Sequence, residues 1–150
     1  MLRACFAAMA IAFGATAVVA QSTPQEQRNA LMSSMWRDGW RAIAMMARGR
    51  EPYEQAKVDA GFAKLTEIAP KLPPLWPEGS QGVAPGARFA SAAKIWENKA
   101  DFEAKLAAFV KAVQENRGKA KDLDTLKVAY EAVNTACDNC HEVYRMRVER

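Results

Sequence analysis

The run LDTLKVAYEAVNTACDNCHEVY, residues 123–144, carries the reading of the fold. Its apolar side chains are Leu123, Leu126, Tyr130, Val133, Cys137, Cys140 and Tyr144, separated by alternating steps of three and four. That rhythm puts one apolar seam on a helix, of the kind that packs at a shallow angle against neighbouring helices. Asp122 or Asp124 stands at the start of the run, and Arg145, Arg147 and Arg150 follow it. Acid first and base last suits the helix macrodipole, so the helix is predicted to continue to about residue 147.

Moving towards the N-terminus, Phe102, Leu106, Phe109 and Val113 mark a second amphipathic helix, with Asn98 at its cap and Gly118 closing it. A short helical turn is expected around Lys94–Trp96. Residues 70–92 hold five prolines and three glycines, so no regular helix persists there. Leu75, Trp76 and Phe89 imply that this long connection packs down on the domain. Before it, Val58, Phe62, Leu65 and Ile68 face inward from a helix that begins near Pro52-Tyr53 and ends at Pro70. The first helix is predicted from Pro24, capped by Ser22 or Thr23, to Arg48, where Gly49 supplies a left-handed stop. Met32, Met35, Ile43 and Met46 are assigned to its buried face. No β pattern competes. The fold class is all-α, an antiparallel up-down-up-down four-helix bundle with one long connection between its second and third helices.

Residues 1–20 read as an address rather than as part of that bundle. Met1-Leu2-Arg3 is a short basic start, Ala4–Val19 is apolar and small without an acidic residue, and Val18-Val19-Ala20 precedes polar Gln21. This is the pattern of a cleaved secretory signal peptide. Its apolar run falls short of the ~20 residues needed to span a bilayer core. Cleavage after Ala20 leaves residues 21–150 as one domain of 130 residues. Only Arg3 is lost from the charge count, so the formal charge goes from +4 to +3. That is too weak and too dispersed for a nucleic-acid-binding protein, and no later segment is apolar enough to enter a membrane. The expected destination is an exported compartment, and the small positive excess favours acidic partner proteins.

Within that domain only Cys137 and Cys140 remain of the three cysteines, and the sole histidine of the chain, His141, follows directly. Cys-x-x-Cys-His is the attachment signature of c-type haem. On a helix the three side chains share one side, so two thiols can reach the haem vinyl groups while the imidazole reaches iron. A thioredoxin-like pair would want a βαβ setting, and structural zinc would want four ligands. A disulfide between helical i and i+3 positions has poor geometry and leaves His141 unexplained. The cofactor expected is one covalent haem c.

With Tyr144-Arg145 after the motif, Arg28 in the first helix and the bundle pattern, the chain resembles the cytochrome c′ family, the class II c-type cytochromes. The resemblance covers residues 21–150, and its most specific parts are Cys137–His141 and the Arg28-x-x-x-Met32 spacing. It implies a bacterial periplasmic haem protein with His141 as proximal ligand, Arg28 near a haem propionate and Arg145 beside the histidine. It also makes periplasmic redox proteins the expected partners and leaves a homodimer open. Within the family, one branch keeps the distal position vacant, high-spin and able to bind NO or CO. The other takes a methionine from the first helix and is low-spin. The distal residue falls four positions after the arginine, on Met32.

The level of the two helices agrees with that placement. His141 lies roughly six residues before the expected end of the last helix, and in an antiparallel pair this faces a point about six residues into the first, near position 30. Met45 and Met46 lie roughly 20 Å further along at ~1.5 Å per residue. Met35, one turn on from Met32, is the competing ligand, and ordinary core packing is the other role open to either. The branch favoured is the methionine-ligated one, with a gas-binding open site as the alternative. No second histidine exists to assist peroxide cleavage, so an enzyme is not expected. Asp138 and Asn139 are expected to face water; Trp36, Trp40, Trp76 and Trp96 are open to lining the haem pocket or filling core, with core favoured.

Overall fold

The computed structural model describes residues 22–149, so the expected signal peptide lies outside the described residues. The chain forms a four-helix bundle. Its first helix comprises α1 (Pro24–Ser34), a π-helical turn (Met35–Trp40) and α2 (Arg41–Ala47). The second is α3 (Gln55–Ile68), the third is α5 (Lys99–Asn116), preceded by the short α4 (Lys94–Glu97), and the fourth is α6 (Leu123–Tyr144). Consecutive bundle helices pack side by side, and α2 closes the ring against α6.

Capping explains where the two outer helices begin. Thr23 accepts from the Glu26 backbone N–H at 3.3 Å, and Glu26 accepts from the Thr23 N–H at 2.8 Å. Together they satisfy donors that the first turn leaves without partners, with Pro24 at the first helical position. Asp122 and Thr125 do the same for α6, at 2.8 and 3.1 Å. The second helix starts at Gln55 rather than near Pro52, because Glu54 is still extended.

The π turn corrects the buried face predicted for the first helix. Six residues wind with i to i+5 bonding, Arg41 N–H donating to the Trp36 carbonyl, so one extra residue is absorbed. Relative to an uninterrupted helix, α1 is offset by about one residue, or ~100°, from α2. Ile43 and Met46 therefore point into the core while Met32 does not share their stripe, and it is only partly buried. The Met46 sulfur instead accepts from the Glu54 N–H at 3.3 Å.

The same turn crosses α3 closely. A Cβ on Gly61 would sit 2.8 Å from the Gly39 carbonyl oxygen and 2.8 Å from the Ile43 Cδ1 atom. The oxygen belongs to a helix backbone and cannot swing away. Gly61→Ala is expected to cost about 1–3 kcal/mol, the range for overpacking, read as a lower urea midpoint with an unchanged slope.

A small β ribbon, absent from the sequence reading, ends the chain. Phe89–Ser91 (β1) pairs antiparallel with Arg145–Arg147 (β2), with Phe89 opposite Arg147 and Ser91 opposite Arg145. The last helix thus stops at Tyr144 with Arg145 as its C-cap; Arg145 also opens the strand, and Arg147 stands in it rather than at the helix end. Three-residue strands carry no periodic signal, and the pairing joins segments far apart in sequence.

Arg28 fastens the long connection at its other end. It is 5% exposed, and its guanidinium donates to the Leu75 carbonyl at 2.9 Å and to the Ser80 carbonyl at 2.6 Å. It also lies between the Trp76 and Trp96 rings, at 5.9 and 5.8 Å. Gln25 donates to the Gln81 carbonyl at 2.7 Å, and Trp76 to the Ser91 hydroxyl at 2.9 Å. Of the side chains expected to pack the connection down, Trp76 is buried while Phe89 is exposed, with Arg145 4.7 Å above its ring.

Candidate haem-binding site

The last turns of α6, the α1 and π-turn segment and the tail of the long connection enclose a cavity of about 730 Å³. Cys137, Cys140 and His141 project into it from α6. The spacing that kept the apolar seam intact also aligns these three on one side of the helix. Both cysteines are free thiols rather than a disulfide. Burial, with Asp138 and Cys140 adding to it, pushes the Cys137 thiol up to about 12, and burial raises Cys140 as well. Neither is the low-pKa thiolate of a redox-active pair. Burial, assisted by Arg145, lowers His141 to about 4, so its imidazole is neutral near pH 7, the form that ligates metal.

Met32, from α1, and Met35, from the π turn, line the same cavity. Met35 is 6% exposed and belongs to the core cluster, whereas Met32 is only partly buried. Met32 is thus on the cavity even though α6 ends three residues earlier than the sequence reading assumed. Arg28 lines the cavity too, although its hydrogen bonds named above go to the connection. Arg145 places Nη1 3.5 Å from the His141 Nδ1 atom. Asp138 and Asn139 are exposed as expected, with Asp138 also at the cavity edge. Of the tryptophans, Trp40 and Trp76 are buried, while Trp36 lines the cavity, the less favoured of its two expected roles, and is 49% exposed.

Some lining residues had no sequence signal. Gly82, Ala84 and Gly86 to Ser91 form one wall, and only the tertiary fold brings that loop here. Tyr144 also lines the space, and its hydroxyl donates to the Asp101 carboxylate at 2.6 Å. That bond holds the Tyr144 phenol up at about 12, against an ordinary value of 10. The folded state keeps a proton that the unfolded chain has lost between those two values. The stability Tyr144 contributes is therefore whole below pH 10 and is lost as pH rises towards 12. Tyr144→Phe should flatten the fall in urea midpoint across that window.

The cavity fits a flat, largely apolar macrocycle. Its walls include Trp40, Trp76, Leu65, Ile95, Phe102 and Leu106, and two thiols, a neutral imidazole and two thioethers share the lining with them. Among the described residues no three His, Cys, Asp or Glu side chains converge to hold a bare metal ion. The arrangement is that of a covalent haem protein built on a helical bundle.

Comparison with known proteins gives the family. The description "Cytochrome C′" matches residues 23–145. A cytochrome c-556 of Rhodopseudomonas palustris is 39% identical over 146 residues, covering 97% of each chain. A cytochrome c-555 of Bradyrhizobium diazoefficiens is 33% identical over 99% of this chain and 100% of its own. The solved cytochrome c′ of Rhodopseudomonas palustris superposes with a TM-score of 0.76 at 30% identity, covering 86% of this chain and all of that one. The chain belongs to the cytochrome c′ family, and its cofactor is covalent haem c. It is an electron-carrying haem protein of that class.

Proposed function

We propose that this protein is a low-spin monohaem electron carrier with a six-coordinate iron. Cys137 and Cys140 hold the haem by thioether bonds, His141 is the proximal ligand, and Met32 is the sixth ligand. Arg28 and Arg145 flank the group, Arg28 offering its remaining N–H donors to a propionate and Arg145 steadying the histidine. The haem supplies the electron. The chain positions it, excludes water from one face and controls access to its edge.

The observation that carries this reading is the placement of Met32. Its side chain lines the same cavity as His141 from a different bundle helix, and the π turn keeps it out of the core stripe of Ile43 and Met46. The name of the relative cytochrome c-556 fits the methionine-ligated branch of the family. A carrier that keeps both axial ligands through the redox cycle reorganises little between ferrous and ferric states. No reaction on a substrate is assigned, so the protein is read as a carrier rather than an enzyme. Residues 1–20 are read as an export signal and the mature chain as periplasmic. No described helix is long and apolar enough to cross a membrane.

One spectrum tests the assignment. The ferric holoprotein should show low-spin bands with a methionine-to-iron charge-transfer feature, and the ferrous form should not bind CO at equilibrium. High-spin bands with ready CO binding would reject the Met32 bond in favour of a vacant, gas-binding site.

A further inference from the structure

The π turn at Met35–Trp40 joins two helical segments that are anchored to different parts of the molecule. α1 is tied to the long connection by Arg28, through the Leu75 and Ser80 carbonyls, and by Gln25, through that of Gln81. α2 is tied to the bundle core. Its Ile43 and Met46 are fully buried, and Trp40, just before it, stacks on Tyr130 with ring centroids 5.3 Å apart. Neither segment can rotate about the helix axis without giving up those contacts, so the number of residues between them sets where Met32 points. Met32 and Ile43 are eleven residues apart. In an unbroken α-helix, at ~100° per residue, they would differ by only about 20°, and Met32 would join the core stripe. With one residue absorbed by the π turn they differ by about 80° in the other sense, and Met32 lines the cavity instead.

π turns are rare and concentrate at functional sites, and this one is held by a backbone crossing. α3 packs directly against it. A Cβ on Gly39, inside the turn, would stand 2.6 Å from the Leu65 Cδ1 atom and 3.2 Å from the Gly61 carbonyl oxygen, and the crowding at Gly61 is reciprocal. Both glycines are buried and neither has a positive φ, so close approach rather than backbone freedom is what requires them. Neither lines the cavity, so making room for the haem does not explain them. We infer that the Gly39–Gly61 crossing fixes the π turn, and that the turn, through its one surplus residue, aims Met32 at the iron. The two glycines are then positioning residues for the axial ligand. This inference rests on the reading of Met32 as sixth ligand.

Spectra and CO titrations of the covalently loaded holoprotein test it, with the urea midpoint recorded alongside. Deletion of Arg37, exposed in the middle of the turn, removes the surplus residue and should leave an unbroken α-helix with both anchors in register. Its ferric spectrum should stay low-spin, and its ferrous form should still not bind CO. An alanine inserted after Arg37 turns α1 by a further ~100° and should give high-spin bands and CO binding. Gly61→Ala displaces the Gly39 carbonyl and should produce a high-spin fraction and CO binding in the same direction. Val113→Ala, in α5 and outside the cavity lining, lowers the urea midpoint by leaving a void, yet should keep the low-spin spectrum. A deletion variant that fails to fold or turns high-spin would overturn the inference. So would an insertion variant that stays low-spin, or a Gly61→Ala spectrum no different from that of Val113→Ala. High-spin bands in the unaltered holoprotein would overturn the ligation reading beneath it instead.

Discussion

On the ligation proposed above, Met32→Ala is expected to turn a six-coordinate, low-spin haem protein into a five-coordinate, high-spin one that binds CO. Among the described residues, Met32 and Met35 are the thioethers that line the cavity, and Met35 belongs to the buried core cluster. The replacement removes the other and leaves a space for a diatomic ligand. Loss of the methionine should lower the reduction potential on the order of 0.1–0.3 V, a fraction of the ~0.8 V that axial ligands span. Met35→Leu, nearly equal in volume, should leave spectrum and potential in place and cost less than about 1.5 kcal/mol. Spectra, a CO titration and a redox titration of both variants decide the matter. Low-spin bands that survive in Met32→Ala and vanish in Met35→Leu would move the ligand one turn along the helix.

Replacing both Cys137 and Cys140 by serine should have the larger structural effect. Without thioethers the haem can be held only by iron ligation and packing, so denaturing electrophoresis should show a chain with no bound pigment. The bundle then has a cavity of about 730 Å³ lined by core side chains with nothing to pack against. Interiors are close-packed, and unfilled apolar space is destabilising. The double variant is expected to melt at least about 20 °C lower than the holoprotein, with its near-ultraviolet dichroism lost before its helicity. A variant that keeps a covalent pigment would show that these thiols are not the attachment points.

The parts of the molecule that the sequence made legible share a property: each is written in neighbouring residues. The seam from Leu126 to Tyr144, the capping pairs Thr23–Glu26 and Asp122–Thr125, and the cluster Cys137–His141 all lie within a few turns of helix. What was missed depends on distant partners or on a break in periodicity. A π turn leaves no mark in a pattern read at one fixed period, so Met32 was grouped with Ile43 and Met46. Arg145 caps the last helix as its charge suggests, but its second place, in a strand, depends on a partner segment more than fifty residues away. Hydrophobicity alone packs Phe89 down and favours core over pocket lining for Trp36, whereas both line the cavity and are about half exposed.

That partner strand bears on the order of assembly. The Phe89–Arg147 pairing closes a loop of more than fifty residues for only three residue pairs, so it is expected to form after the bundle helices have packed. Until that clasp shuts, Cys137 and Cys140 lie beside a wall with one end unfastened. Entry of the prosthetic group is therefore expected to be easiest before β2 pairs, the ribbon closing over a cavity already filled.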